Sequence, residues 1–259
     1  MKHISSRDNP AYRHLQRLAR GPRDGQALLE GVHLCQEWLR HKGQPELALF
    51  DARRLEQGGE LADLARAVPP EDCVSCEPAL AGGLSQVGHG QGVYFVVRVP
   101  ETDMPARIAA NCLWLDRVQD PGNMGTLLRT AAAAGIAEAY LSTGCASAWS
   151  PKVLRSAQGA HFAMTLHEHA DLSGLGSRLD VPLVATALER AVPLYEADLP
   201  ERCAWLIGNE GQGVAPELLA LADMRVYIPQ EPGVESLNAA VAAAICLFEQ
   251  RRRFSRPGG

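Results

Sequence analysis

The chain has 259 residues, of which 46% are hydrophobic and 21% charged, with a formal net charge of −5. That balance belongs to globular proteins of one large or two modest domains and excludes disordered, collagen-like and coiled-coil chains. The apolar run 239–247 is far shorter than the roughly 20 residues that span a bilayer, and the opening MKHISSRDNP has no apolar signal segment. Seven cysteines, an odd number scattered along the chain, point to a reduced cytoplasmic protein rather than a disulfide framework. Net acidity with only 5% aromatics argues, taken alone, against a nucleic-acid partner.

The charge is unevenly placed. Before residue 24 the basic residues Lys2, Arg7, Arg13, Arg17, Arg20 and Arg23 face the single acid Asp8. Near the other end Arg251, Arg252, Arg253 and Arg256 face Glu249. Two readings fit: basic arms that touch phosphates on an otherwise acidic body, or solvated helix ends in which arginine complements the macrodipole.

In chain order, helical patterns are expected over 9–20, 31–40 and 61–68, with strands over 46–50 and 90–99. The segment 100–106, PETDMPA, reads as a linker because its prolines extend neither element. Strands are then expected over 112–116, 138–142, 182–187, 204–208 and 225–229, and helices over 125–134 and 236–253. In the last helix Leu237, Val241, Ile245 and Phe248 recur at helical spacing as a core-facing stripe. Apolar strands alternating with helices predict an α/β fold with a mostly parallel sheet, whose ligands sit in loops beyond the strands' carboxyl ends.

Three such loops carry chemistry-bearing residues. In LDRVQDPGNMGTLLRTAAAAGI (115–136), Asn123 is placed to cap a helix and Arg129 to face the loop. In LIGNEGQGV (206–214), Gly208, Gly211 and Gly213 surround Glu210, in GxxGxG order rather than the dinucleotide fingerprint. A tight turn without a ligand explains that spacing as well as a binding loop does. In YIPQEPGVESLNAAVAAAICLFE (227–249), Pro229 ends a strand and Ser236 is a candidate N-cap.

Together, in order and spacing, these loops resemble the three motifs of the SpoU (TrmH-like) RNA ribose 2′-O-methyltransferases of the SPOUT superfamily. The matching residues are Asn123, Gly125 and Arg129; Gly208, Glu210 and Gly213; and Ile228, Pro229, Ser236, Leu237 and Asn238. The segment SPKVLRSAQGA (150–160) is similar to the stretch between the family's first two motifs. Within the third motif Gln230 and Ala239 depart from the usual methionine and valine, as changes in a cofactor-pocket wall. The resemblance covers about 108–250. Residues 1–98 resemble the family's small α/β substrate-binding domain through SSRDNP (5–10) and LLEGVHL (28–34).

The resemblance implies a substrate-binding domain over 1–98, a linker over 99–107 and a catalytic domain over 108–259 with a deep trefoil knot. It implies S-adenosylmethionine as cofactor, held at 206–213, 226–233 and 234–238 by Gly208, Asn209, Gly213, Ile228, Pro229, Ser236 and Leu237. The catalytic set it implies is Asn123, Arg129, Glu210, Ser236 and Asn238, with Asn123 and Glu210 ordering Arg129 and the substrate ribose. The partners it implies are structured RNA, ribosomal before transfer RNA, and a second copy of the chain as a cytoplasmic homodimer. Arg7, Arg13, Arg17, Arg20 and Arg23 are the candidate RNA contacts. The rival readings are a catalytically silent RNA-binding relative and an unrelated nucleotide-dependent oxidoreductase, the latter opposed by the missing dinucleotide fingerprint.

No metal site is expected. Cys73-x-x-Cys76 has ligand spacing but no second pair. Cys112, Cys203 and Cys246 stand in apolar runs as buried thiols. The alternating His161, His167 and His169 read as a strand and its exit.

Overall fold

The computed structural model describes residues 1–85, 90–233 and 236–254, and within it the chain forms two compact units. The first takes Met1–Glu101 and Trp149–Phe162, the second Thr102–Ala148 and Ala163–Gly259. Arg256 and residues 234 and 235 lie outside the described residues.

The first unit runs β1 (Lys2–Ile4), α1 (Pro10–Leu18), β2 (Gln26–Glu30), α2 (Val32–His41), β3 (Leu47–Asp51), α3 (Ala52–Glu56), α4 (Glu60–Ala67), β4 (Cys73–Cys76), α5 (Pro78–Gly82) and β5 (Val93–Arg98). The strand order is β1-β4-β3-β5-β2, and β5 alone runs against its neighbours. Helix α1 starts where the Asn9 side chain accepts the Ala11 N–H at 2.9 Å and Pro10 presets the first turn. It buries Tyr12, Leu15 and Leu18 against Leu49, Val74 and Tyr94. The expected helices and strands of this half are present. Strands β1, β2 and β4 lie outside the sequence expectation, because they are short and owe their burial to neighbours rather than to a pattern of their own. The Cys73/Cys76 pair belongs to β4, where both thiols are buried and burial pushes Cys76 up to about 12.

The chain continues as β6 (Cys112–Leu115), α6 (Pro121–Ala134), β7 (Glu138–Ser142), α7 (Pro151–Ala157), β8 (Thr165–Ala170), α8 (Leu172–Leu175), β9 (Leu183–Thr186), β10 (Val192–Pro193), β11 (Ala204–Ile207), α9 (Pro216–Leu221), β12 (Met224–Tyr227) and α10 (Ala239–Phe254). The seven strands from β6 to β12 form one sheet of order β10-β12-β9-β11-β6-β7-β8, parallel at every pairing. On one face Trp114, Tyr140 and Leu206 pack with Leu172 and Leu218 of α8 and α9. Cys112, Cys203 and Cys246 are buried thiols, and burial pushes Cys203 and Cys246 up to about 12.

Three expectations need correction. Helix α7, placed by sequence in the catalytic domain, packs within the first unit. Trp149 and Phe162, which bound its segment, bury against Trp38 with ring centroids 6.1 and 5.4 Å away, and His161 sits among them. Helix α6 begins at Pro121 rather than at 125, because the Asp120 carboxylate accepts the Asn123 N–H at 2.8 Å; Asp120, not Asn123, is the cap. The stripe Leu237, Val241, Ile245 and Phe248 is not the buried face of α10. Ala240, Ala243, Cys246, Leu247 and Gln250 are buried, while Val241 and Phe248 are 48% and 46% exposed. This helix is apolar on most sides, so periodicity could not choose a face; small alanines settle it by letting α10 approach α6 closely. Buried Gln250 is satisfied by the Trp205 indole N–H, which donates to its Oε1 at 2.8 Å.

Candidate functional site

Because all strands of the second sheet run one way, the loops after β6, β9, β11 and β12 gather at one edge. There the stretches after β9, β11 and β12 enclose a cavity of about 420 Å³, within the range typical of small-molecule sites, and the loop after β6 lies outside its wall. Its apolar wall includes Ile207, Leu219, Val226 and Ile228, and Glu189 and Glu210 bring carboxylates to it. Gly208, Asn209, Gly213, Ser236 and Leu237 line it, as do Gln230 and Ala239. Pro229 lies between the lining residues Ile228 and Gln230 but is not itself part of the wall.

The loop after β11 is closed by its own backbone. Asn209 and Gly213 exchange N–H···O bonds of 3.0 and 2.9 Å, and the Asn209 side-chain oxygen accepts from the N–H groups of Gly211 and Gln212. A Cβ on Gly208 would stand 2.2 Å from the Gly213 carbonyl carbon, so only glycine permits this crossing. Gly213 has φ +68° and faces open space, leaving the cavity wall bare.

Hydrogen bonds running one way tie three loops together. The Asn238 Nδ2 donates to Asn123 Oδ1 at 2.8 Å, and Asn123 Nδ2 donates to Glu210 Oε1 at 3.1 Å. Glu210 also accepts the N–H groups of Asp120 and Gln119 at 3.0 and 3.2 Å. Burial works to raise the Glu210 carboxyl. Hydrogen bonds from its own backbone, Asn123, Asp120 and Gln119 outweigh that and hold it below the usual carboxylate range. Asn238, not Ser236, caps α10, accepting the Ala240 N–H at 2.9 Å, and Ser236 is left to the cavity wall.

Sequence reasoning missed a second brace. Asp116, 3% exposed at the end of β6, accepts the Ala215 N–H at 2.8 Å and pairs with Arg117 through two 3.1 Å contacts. Arg117 reaches on to Gln212 Oε1 at 2.8 Å, and its carbonyl accepts from Asn209 Nδ2 at 2.8 Å. It does so at φ +51°, a conformation uncommon for residues other than glycine. The post-strand stretch 186–189, which lines the cavity, was missed too. Its only sequence signal was its place after a strand, and neither glycines nor a polar cluster marked it.

Arg129 stands apart from the Glu210–Asn123–Asn238 group. It is exposed on α6, outside the cavity wall, and no side chain among the described residues holds its guanidinium. The Asn123 side chain bonds to Glu210 and Asn238, and Glu210 to loop backbone, so the expectation that they order Arg129 is not met by any contact among the described residues. The basic N-terminal residues do not form one cluster. Arg7 follows the carboxyl end of β1, whereas Arg20 and Arg23 precede β2 at the opposite edge of the sheet. Arg13 is already paired with Asp8 at 2.5 Å. His161 is buried with both ring nitrogens unpartnered among the described residues, and burial, aided by Lys42, lowers it to about 3.

Residues 110–248, which hold every member of this site, match the SpoU rRNA Methylase family. The chain belongs to that family. Over 231 residues it is 36% identical to the 23S rRNA (guanosine(2553)-2′-O)-methyltransferase RlmP of Bacillus subtilis, covering 86% of this chain and 88% of that protein. It is 30% identical to the 23S rRNA (guanosine-2′-O-)-methyltransferase RlmB of Acinetobacter baylyi, covering 86% of this chain and 96% of that one. The AdoMet-bound rRNA methyltransferase of Sinorhizobium meliloti superposes with a TM-score of 0.83 at 26% identity, covering 98% and 99% of the two chains. The α/β fold with a mostly parallel sheet is thus shared with that solved structure over nearly the whole chain.

Proposed function

We propose that this chain is an S-adenosylmethionine-dependent RNA methyltransferase that methylates a ribose 2′-hydroxyl of ribosomal RNA. The observation that carries this reading is the chain of hydrogen bonds from Asn238 through Asn123 to Glu210, which unites three post-strand loops beside one cavity. Similarity over most of the chain to two enzymes named for 23S rRNA supports ribosomal over transfer RNA as substrate.

The residues present suit the cofactor. The apolar wall of Ile207, Leu219, Val226 and Ile228 suits the adenosyl group, the bare backbone at Gly213 allows close approach, and the carboxylates of Glu189 and Glu210 complement cationic groups. Bound there, S-adenosylmethionine supplies an electrophilic methyl group. Gly208, Asn209, Gly213, Ile228, Pro229, Ser236 and Leu237 are proposed to hold it, in loops belonging to a trefoil knot.

The protein's task is to place a ribose oxygen in line and stabilise charge on it. Glu210 stays ionised, but both its oxygens already accept N–H groups, so it acts as a positioning residue joining two loops rather than as a base. Arg129 is a poor base because guanidinium keeps its proton. Its exposed head, unpaired among the described residues, instead holds the neighbouring RNA phosphate and stabilises the developing alkoxide. Asn123, Asn238 and Ser236 orient the ribose. The half-exposed Val241 and Phe248 of α10 support a homodimer through this helix. A cytoplasmic location is proposed with this reading; separately, no helix among the described residues is long and apolar enough to cross a membrane.

Two measurements test the reading. Calorimetry should show binding of S-adenosylmethionine and none of NAD(H). Mapping ribose methylations in total RNA, with and without the protein, should show one gained site in ribosomal RNA. Cofactor binding with no methylation gained would favour the catalytically silent alternative.

A further inference from the structure

The first unit carries a second crevice, at the edge of its sheet opposite to Arg20 and Arg23. Strands β1, β4, β3 and β2 run in one direction, so their carboxyl ends share an edge, the usual ligand-binding edge of such sheets. At that edge a cavity of about 370 Å³ opens between α3 and α5. It is lined by Asp51, Arg53, Arg54, Gln57 and Gly92 on one side and by Gly82 on the other.

Pairing varies among the arginines of this unit. Arg13, Arg40, Arg66 and Arg98 each pair with a carboxylate, whereas Arg17, Arg20, Arg23 and Arg155 have no carboxylate partner among the described residues and line no part of this crevice. Arg53 and Arg54 pair with none among the described residues, although Glu56 stands on the same short helix. The one acid lining the crevice, Asp51, is 6% exposed, and its Oδ1 is engaged at 3.1 Å by the Arg54 N–H. The stem of Arg54 is also held in place. A Cβ on Gly92 would lie 3.0 Å from Arg54 Cδ and 2.8 Å from Asp51 Cβ, so glycine there, at φ +76°, gives the stem room to rest on the backbone. On the opposite side a Cβ on Gly82 would meet nothing within 4 Å, so the wall is open. Arg7, which follows β1 at this same edge, is likewise unpaired among the described residues.

Unpaired guanidiniums over a glycine-walled polar crevice are suited to phosphate oxygens, which they bind in bidentate fashion. We infer that the sugar–phosphate backbone of the substrate RNA enters the crevice at the carboxyl edge of the first unit's sheet, where Arg53 and Arg54 bind its phosphates and Arg7 extends the contact. The inference rests on the RNA reading above and adds to it the surface that holds the RNA.

The test uses the full chain and purified bacterial 23S rRNA in filter binding across a range of KCl concentrations, with Arg53→Gln/Arg54→Gln against wild type. The double variant should bind at least about tenfold more weakly at low salt. Its log–log salt slope should fall by about 1.4 to 1.8, the loss of two phosphate contacts. Its affinity for S-adenosylmethionine and its unfolding midpoint should stay at wild-type values, which separates lost contacts from lost fold. Arg20→Gln/Arg23→Gln, at the opposite edge, should change the slope less. A crevice variant with wild-type RNA affinity and slope overturns the inference while leaving the RNA reading standing. A wild-type protein with no affinity for RNA overturns both. A variant that loses only mononucleotide binding by calorimetry makes the crevice a small-anion site and also overturns the inference.

Discussion

Replacing Asn238 with aspartate changes one N–H₂ group to an oxygen and leaves the shape intact. Aspartate caps helices as well as asparagine does, so the bond to the Ala240 N–H survives. The cap therefore contributes no loss, and stability should fall only by the one bond lost between Asn238, Asn123 and Glu210, about 1 to 2 kcal/mol. The chain of bonds does not survive. In the wild type Asn238 donates to Asn123 at 2.8 Å, and this fixes the Asn123 amide so that its own N–H₂ faces Glu210. In Asn238→Asp an amide kept in place sets its oxygen against the new carboxylate, and a flipped amide sets its oxygen against Glu210. Either way two acceptors meet and one hydrogen bond is lost, a cost of about 1 to 2 kcal/mol at a site open to water. Charged to the transition state, that is about a tenfold loss of methyl transfer. The assay is transfer of labelled methyl from S-adenosylmethionine to ribosomal RNA, with urea unfolding and cofactor calorimetry in parallel. Transfer within twofold of wild type, with fold and cofactor affinity unchanged, would refute the role given to this chain.

Three further outcomes follow from the site and its surroundings. Arg129→Ala should abolish most methyl transfer while cofactor affinity holds, because Arg129 lies outside the cavity wall, and Arg129→Lys should recover little if bidentate phosphate contact matters; full activity in the lysine variant shows that geometry is unimportant. Gly208→Ala drives a Cβ to 2.2 Å from backbone, so cofactor binding should vanish. Stability should fall with it by about 3 kcal/mol, the upper end of overpacking costs, read by calorimetry and urea titration. His161 titrates at about 3 in the folded chain against about 6.5 unfolded, so its depressed value leaves stability whole above pH 6.5 and erodes it as pH falls towards 3. Between pH 8 and pH 5 that is about 2 kcal/mol, at about 1.4 kcal/mol per pH unit. His161→Leu should remove this loss, and a stability difference between the two proteins that stays constant with pH would contradict the burial argument.

Which residues gather around the cavity was legible in part, with Arg129 and Pro229 falling outside its wall, and the wiring between them was not. Gly208, Glu210 and Asn238 stand in short stretches after apolar strands, and there a strand-to-loop transition shows in a linear string. Caps were legible only in kind. Asn123 and Ser236 were reasonable cap residues by type, yet Asp120 and Asn238 do the capping, because which of several nearby polar side chains meets the N–H groups depends on the entry angle of the chain. Asp116 and Arg117 gave no signal, since their brace joins positions separated by 95 residues, from Arg117 to Gln212.

From its sequence alone this protein is an α/β chain with a mostly parallel sheet, ligand loops at the strands' carboxyl ends and basic residues gathered near its termini, all of them matters of local pattern and order. Burial and long-range pairing decided the rest. Tertiary packing turned Val241 and Phe248 outward on a helix apolar on most sides, and it drew α7 into the first unit through Trp149 and Phe162. It also separated Arg7 from Arg20 and Arg23, because a strand's direction in a sheet, not its distance along the chain, sets the edge on which a side chain emerges.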